Sequence, residues 1–193
     1  AIGDSILAWH KWTGRDIPSV MGALLGARVE NDAVAGARFS NTSGFGRAAG
    51  FDVRAQFRPG PWDIVLINGG ANDLLSDCRC RACDAVLDAL IAPDLGGEVA
   101  TFLAEVLASR VEVIWMGFYA SARSGLFSGG RRFLMLYDAR LARLAAQTPG
   151  LTFLDSEAAV DRRDRSHFAI DGIHPSPTGA QRIGTYLAQS VGR

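Results

Sequence analysis

Three residues of this chain could together perform nucleophilic catalysis on an ester. Ser5 lies near the amino end, and Asp171 and His174 lie three apart near the carboxyl end, in a stretch that contains glycine and proline. A serine hydroxyl becomes nucleophilic when a base takes its proton, and the base needs an acid that fixes its tautomer and stabilises its charged form. One turn can hold Asp171 against Nδ1 of His174 and leave Nε2 for Ser5. We therefore predict Ser5 as nucleophile, His174 as base and Asp171 as the orienting acid.

Four short motifs occur in a fixed order along the chain. They are Gly3-Asp4-Ser5, Ala35-Gly36-Ala37, Gly69-Gly70-Ala71-Asn72-Asp73 and Asp171-Gly172-Ile173-His174-Pro175. In order and spacing this set resembles the four sequence blocks of the SGNH hydrolases, the GDSL lipase/esterase superfamily. The resemblance extends from residue 3 to about residue 190.

The resemblance implies both an activity and further site residues. It implies a serine esterase or acyl hydrolase that forms an acyl-enzyme and needs no cofactor. It also implies three donors to the oxyanion: the backbone N–H groups of Ser5 and Gly36 and the side-chain amide of Asn72. Within the family, the alternative substrate is an O-acetylated carbohydrate or polysaccharide, and outside catalysis the alternative is a binding module on the same fold.

The signatures of several other enzyme classes are absent from the sequence. There is no G-x-S-x-G elbow of the ordinary α/β-hydrolases and no H-E-x-x-H zinc motif. The only lysine is Lys11, so a phosphate-binding G-x-x-x-x-G-K-[ST] loop cannot form. A glycine-rich stretch at residues 44–50 has one residue too many for the dinucleotide fingerprint, and we interpret it as a loop or a helix start.

Length and charge restrict the organisation and the partners. At 193 residues and 48% hydrophobic composition, we expect one domain over residues 1–193 with a substantial core. Twenty basic residues balance 20 acidic ones, so we expect no nucleic-acid partner, and no apolar run approaches the roughly 18–20 residues of a transmembrane helix. The expected partner is a small-molecule or glycan ester. Only two residues precede Gly3, so we expect the first strand to be truncated here.

Three cysteines lie within six residues, as Cys78, Cys80 and Cys83. Zinc requires four ligands and no fourth is nearby, so we expect no metal site. A disulfide could join Cys78 or Cys80 to Cys83, because a bridge between residues i and i+2 is strained. Such a bridge would favour a periplasmic or secreted location, whereas three reduced thiols would indicate the cytosol.

Strand and helix patterns alternate along the chain, which is typical of a parallel sheet covered by helices. The resemblance implies the three-layer α/β/α sandwich of the family, flavodoxin-like, with about five parallel strands. After a first strand that ends before Ser5, the predicted strands are residues 27–34, 63–67, 111–116 and 151–155. The predicted helices are residues 17–25, two segments within 84–109, residues 132–147 and a last helix with Ser176 as N-cap and Pro177 at its first position.

Several residues beside these motifs carry secondary predictions. Aspartates next to the family's serine and asparagine join loops through backbone hydrogen bonds, so we expect structural roles for Asp4 and Asp73. His10 is expected to be satisfied or exposed, and His167 to lie at the surface. We expect the long loop at residues 117–130 to border the substrate as a mobile wall, because it follows a strand. The aromatic residues that could form an acyl or aryl pocket are Trp9, Trp12, Phe118 and Phe127.

Overall fold

The computed structural model describes residues 1–119 and 130–191. Over these residues the chain forms three β-strands and nine α-helices. The strands are β1 (Ile64–Ile67), β2 (Glu112–Met116) and β3 (Leu151–Leu154). The helices are α1 (Ser5–Ala8), α2 (Ile17–Leu25), α3 (Gly44–Ala48), α4 (Val53–Gln56), α5 (Ala71–Cys78), α6 (Asp84–Leu90), α7 (Glu98–Leu107), α8 (Arg131–Ala145) and α9 (Pro177–Val191). Short 3₁₀ turns lie at Lys11–Thr13, Ser156–Ala159 and Arg165–His167.

The three strands form a parallel sheet in the order β1-β2-β3. Ile64 pairs with Glu112, and Val113 pairs with Leu151, so the three strands end at the same edge of the sheet. Parallel strands of this kind are covered by helices on both faces, which is why they are nearly continuous apolar runs in the sequence. The predictions for residues 63–67, 111–116 and 151–155 are confirmed within one residue at each end.

The expectation of about five strands is wrong in number, because only three strands are formed by the described residues. Ile2 makes a single parallel bridge to Ile67. Beside it, the backbone N–H groups of Asp32 and Val34 donate to the carbonyls of Ala1 and Gly3 at 2.9 and 3.0 Å. Residues 27–34 therefore run along the sheet edge without forming the predicted strand, since two bonds to a three-residue segment make no continuous ladder. Counted with these two segments, the lateral order is the 2-1-3-4-5 order of a flavodoxin-like sheet.

Two hydrophobic cores, one on each face of the sheet, create the three layers. Alternate residues of a strand point to opposite faces, so Val113 and Trp115 pack into one core while Ile114 and Met116 pack into the other. Helices α5, α6, α7 and α8 cover the first face, and α1, α2 and α9 cover the second. The predicted α/β/α sandwich is confirmed.

Local sequence signals explain where helices α2 and α9 begin. The N-cap Asp16 accepts from Ser19 N at 3.1 Å and Pro18 lies in the first turn of α2, while Ser176 Oγ accepts from Gly179 N at 3.1 Å at the start of α9. Glycine-rich residues 44–50 begin as helix α3, one of the two options predicted. Among the described residues, we find no helix with both the length and the apolar character needed to traverse a bilayer.

Candidate active site

Ser5 stands where the segment at residues 1–3 turns into α1. Asp4 is the N-cap of this helix, and its carboxylate accepts from Ile6 N at 3.0 Å. Ser5 is thus the first residue of the helix, where backbone N–H groups have no partner within the helix itself. A half-buried Ser5 at this position offers both a hydroxyl and a backbone donor to the same space.

Two buried side chains that the sequence analysis missed hold the turn before Ser5. Asn68 accepts from Asp4 N at 3.0 Å through Oδ1 and donates to the Asp4 carboxylate at 2.8 Å through Nδ2. Gln56 accepts from Gly3 N at 2.6 Å and donates to the Gly3 carbonyl at 3.0 Å. A side chain on Gly3 would approach Asn68 Oδ1 to 1.9 Å, so glycine is required there by this close contact. Burial raises the pKa of Asp4, although bonds from Ile6 and Asn68 oppose the shift.

Asp171 and His174 form a hydrogen-bonded pair on one turn. His174 Nδ1 donates to Asp171 Oδ2 at 2.5 Å. The other carboxylate oxygen accepts from the backbone N–H groups of Ile173 and His174 at 2.9 and 3.0 Å. Partial burial would raise the pKa of Asp171, but the bonds from His174 and Ile173 outweigh it and the net shift is downward. Asp171 is therefore held as a carboxylate in the orientation that fixes the Nδ1–H tautomer of the ring.

The second ring nitrogen of His174 is left as an acceptor. Nε2 is buried and, within the part of the chain that the structure describes, has no hydrogen-bond partner. No hydrogen bond joins it to the Ser5 hydroxyl among the same residues. Bonds between a catalytic base and its nucleophile are often long before substrate binds. The structure thus joins Asp171 to His174 directly, and it brings the base to α1 through Trp9, whose indole stacks on the imidazole.

Gly36 lies on a loop and Asn72 in the first turn of α5, and the two segments meet at Ala37. The amide of Asn72 donates to the Ala37 carbonyl at 3.1 Å, next to Gly36. A primary amide has two N–H groups, so this bond fixes the side chain and leaves a second donor available. Gly36 has φ +84°, and a Cβ there would meet no atom within 4 Å. The positive φ, rather than crowding, therefore explains the glycine.

Asp73 braces the loop that carries Gly36. It is fully buried, and its carboxylate accepts from Ser40 N at 2.7 Å and from Phe39 N at 3.2 Å. Burial raises the pKa of Asp73 to about 6 against the pull of these two bonds. From the other side, Arg54 Nη2 donates to the Phe39 carbonyl at 2.6 Å. The contacts of Asp4 and Asp73 agree with the loop-joining roles predicted for them.

The four aromatic residues predicted to line a pocket do not form one group. Trp9 lies flat on the His174 ring, with 3.9 Å between centroids and 9° between planes. Trp12 is 91% exposed, because the 3₁₀ turn at Lys11–Thr13 directs it outward beside Lys11, so its predicted pocket role is wrong. Phe118 is buried, packs 6.4 Å from the Tyr137 ring and lines a cavity of about 220 Å³. Phe127 lies outside the described residues, as do residues 120–129 of the loop predicted at residues 117–130.

A larger cavity lies away from these residues. It measures about 650 Å³ and is lined by Trp62, Ile64 and the first residues of the chain. Those residues stand where β1 begins, at the opposite edge of the sheet from Asn72 and His174. Open α/β sheets bind ligands at the carboxyl ends of their strands, which is where the smaller cavity lies, but neither cavity is lined by Ser5, Asn72 or His174.

Of the two remaining histidines, the prediction for His10 agrees with the structure and the prediction for His167 does not. His10 is satisfied as expected, since its Nε2–H donates to the Pro175 carbonyl at 3.2 Å. His167 is buried rather than at the surface, so that prediction is wrong. Its Nδ1 accepts from Asp161 N at 3.0 Å and its Nε2 lies 3.5 Å from Asp164. The polar residues around His167 predict an exposed segment, but two of them, Asp161 and Asp164, turn back and contact the buried ring.

The cysteine cluster forms one disulfide, between Cys78 and Cys83. This is one of the two predicted pairings, and it closes the turn after α5, the helix that begins at the Asn72 motif. Cys80 is a buried free thiol. In the described ranges, no group of three or more histidine, cysteine, aspartate or glutamate side chains could hold a metal ion.

A flavodoxin-like sandwich with a serine, a glycine, an asparagine and a histidine on the loops and helix starts at one edge of its sheet is the architecture of an SGNH-type ester hydrolase. The sequence matches the GDSL-like lipase/acylhydrolase family over residues 1–182, and the chain belongs to this family. The protein is therefore a GDSL-type ester hydrolase. A search of curated proteins gave no match.

Solved structures with the same fold cover nearly all of the chain. A protein from Agrobacterium tumefaciens str. C58, proposed to be an arylesterase, is 23% identical, with a TM-score of 0.67, over 98% of this chain and 95% of its own. A family 3 carbohydrate esterase from Clostridium thermocellum is 12% identical, with a TM-score of 0.62, over 97% and 91%. The lipase Lip_vut3 from a goat rumen metagenome is 17% identical, with a TM-score of 0.64, over 97% and 94%. At these identities the similarity establishes the fold, not the substrate.

Proposed function

We propose that this protein is a serine esterase that hydrolyses carboxylic esters through an acyl-enzyme on Ser5. The observation that carries the proposal is the state of His174. Its Nδ1–H is bound by the carboxylate of Asp171, and its Nε2 is a buried acceptor without a partner among the described residues. A histidine with Nδ1–H bound and Nε2 free can act as a general base at Nε2. We propose that the proton it accepts comes from the hydroxyl of Ser5.

The reaction proceeds in two halves. Ser5 Oγ attacks the acyl carbon while His174 Nε2 takes the hydroxyl proton, and the tetrahedral intermediate collapses when His174 returns that proton to the leaving alcohol. Water then attacks the acyl-enzyme, with His174 again as base, and releases the acid and free Ser5. Asp171 keeps its charge throughout and stabilises the imidazolium formed in each half.

Three donors are proposed for the oxyanion. They are the backbone N–H of Ser5, at the first position of α1, the backbone N–H of Gly36, and the free N–H of Asn72. Donors fixed in advance cost no reorganisation when negative charge develops, which makes them effective in the transition state. Two contacts support such rigidity: the hydrogen bond from Asn72 to the Ala37 carbonyl, and the bond that the Asp73 carboxylate accepts from Ser40 N.

The substrate is proposed to be a small-molecule ester, and no cofactor takes part. Because one structural neighbour is a carbohydrate esterase, acetylated sugars belong in the same test panel as aryl and alkyl esters. The Cys78–Cys83 bridge supports an oxidising compartment, the periplasm or the exterior. We treat residues 1–193 as one catalytic domain, since both cores share one sheet.

The test is a comparison of the wild type with Ser5→Ala. The wild type should hydrolyse p-nitrophenyl acetate and incorporate one organophosphate per chain, and Ser5→Ala should lose both. Ser76→Ala, a serine exposed on α5, is the matched control and should behave as wild type. Stoichiometric labelling of Ser5→Ala would overturn the assignment of the nucleophile. A wild type that is folded, unlabelled and inactive on the whole panel would favour the non-catalytic binding module.

A further inference from the structure

Two consecutive residues after α1 hold the turn that carries the base. Trp9 lies parallel to the His174 ring, with 3.9 Å between centroids. His10 donates from Nε2 to the carbonyl of Pro175, the residue after the base, at 3.2 Å. Two adjacent residues after α1, Trp9 and His10, therefore contact two adjacent residues of the turn, His174 and Pro175.

The backbone at this point is unusual in a way that suits such contacts. His10 has φ +68°, in the left-handed region that residues with a side chain rarely adopt. Strained conformations of this kind persist only where the surroundings fix them, and they concentrate at functional sites. The left-handed residue reverses the chain direction after Trp9, whose own N–H donates to the Ser5 carbonyl at 2.9 Å.

A single hydrogen bond does not fix the orientation of an imidazole ring. The bond from Nδ1 to Asp171 acts as an axis about which the ring can tilt, and a tilt moves Nε2 out of line with Ser5. A parallel indole in contact with the ring face opposes that tilt. When His174 becomes an imidazolium during the reaction, the indole face also attracts the positive charge.

We propose that Trp9 and His10 form a clamp that positions His174 and stabilises its protonated state, rather than lining the substrate pocket as the sequence suggested for Trp9. They are positioning residues, because they act on the reaction through the base. The clamp rests on the proposed function of His174. It also explains how α1, which carries Ser5, is kept in register with a turn more than 160 residues away in the chain.

The test compares Trp9→Leu with Trp9→Phe on the full chain. Trp9→Leu should lower kcat for p-nitrophenyl acetate by about 5- to 30-fold, the range of a partly desolvated cation–π contact, with KM changed by less than about threefold. Trp9→Phe keeps an aromatic face and should recover most of the rate. Trp62→Leu, a half-buried tryptophan at the opposite edge of the sheet, is the matched control and should keep the wild-type rate.

A measurement without turnover separates the clamp from the esterase assignment. In the wild type, the His174 ring protons lie over the indole face and should be shifted upfield in NMR spectra. Trp9→Leu should move them downfield, and Trp62→Leu should not. An unchanged kcat with a raised KM would make Trp9 a substrate contact, and unmoved His174 resonances would mean that no stack exists in solution; either result overturns the clamp. A wild type without esterase activity but with the upfield shift would instead contradict the proposed function alone.

Discussion

Replacing Asn72 with alanine should slow catalysis without weakening substrate binding. The side chain has two N–H groups, of which one donates to Ala37 at 3.1 Å and the other is available to the oxyanion. In alanine both are lost. If the free N–H contacts the oxygen only when negative charge develops on it, the loss acts on the transition state and not on the bound ester.

Two contributions with different readouts follow from this geometry. Removing one oxyanion donor costs about 2.7–4 kcal/mol, which lowers kcat by about 10²- to 10³-fold. Removing the bond to Ala37, in a buried part of the loop, costs about 1–3 kcal/mol of folding free energy, which lowers the melting temperature by about 3–10 °C. The protein should therefore remain folded at 25 °C, and the rate loss should exceed what unfolding can explain.

The assay is steady-state hydrolysis of p-nitrophenyl acetate, with the melting temperature of each variant measured in parallel. Gln147→Ala is the matched control, since it removes an exposed amide after α8, before the strand β3 begins. It should leave kcat and KM at their wild-type values. A change of Asn72→Ala confined to KM would refute the oxyanion role and make Asn72 a substrate-positioning residue.

Two further predictions concern stability. The pKa of Asp73 is raised to about 6 from an ordinary 3.8, because the folded state binds the proton of this carboxyl more tightly than the unfolded state does. The contribution of Asp73 to the free energy of unfolding is therefore complete below about pH 4. It decreases by about 3 kcal/mol as the pH rises through 6. In urea titrations at pH 4 and 7, Asp73→Asn should lose this decrease, while Asp63→Asn, an exposed control where β1 begins, should keep it. An unchanged slope in Asp73→Asn would contradict the shift. Reduction of the Cys78–Cys83 bridge, whose cysteines are five residues apart, should cost about 2 kcal/mol and lower the melting temperature by about 4–8 °C, and alkylation before reduction should find one free thiol. Three free thiols, or one zinc per chain, would rule the bridge out.

Local sequence carries enough information for some elements and too little for others. The helices α2 and α9 are predictable because their caps and apolar spacing are contained within each segment. Residues 27–34 were predicted as a strand, but a strand forms only where a neighbouring segment supplies a continuous ladder of hydrogen bonds. Here the neighbouring segment is residues 1–3, which accepts only two hydrogen bonds from residues 27–34. Trp12 and His167 were misjudged for the same reason, since exposure is a property of what packs around a side chain.

The sequence by itself determined the family and the class of reaction, and it indicated the residues that we propose perform it. Ser5, Gly36, Asn72 and His174 are recognisable because each stands in a short motif whose residue types are dictated by the reaction. Only the tertiary structure decided how those motifs are held in place. Asn68 meets Asp4 across 64 residues and His10 meets Pro175 across 165, and no local pattern specifies contacts between such distant segments. These contacts exist because folding of the sheet brings the carboxyl ends of its strands together. For the same reason Trp9, predicted from its position as a pocket residue, lies against the ring of His174.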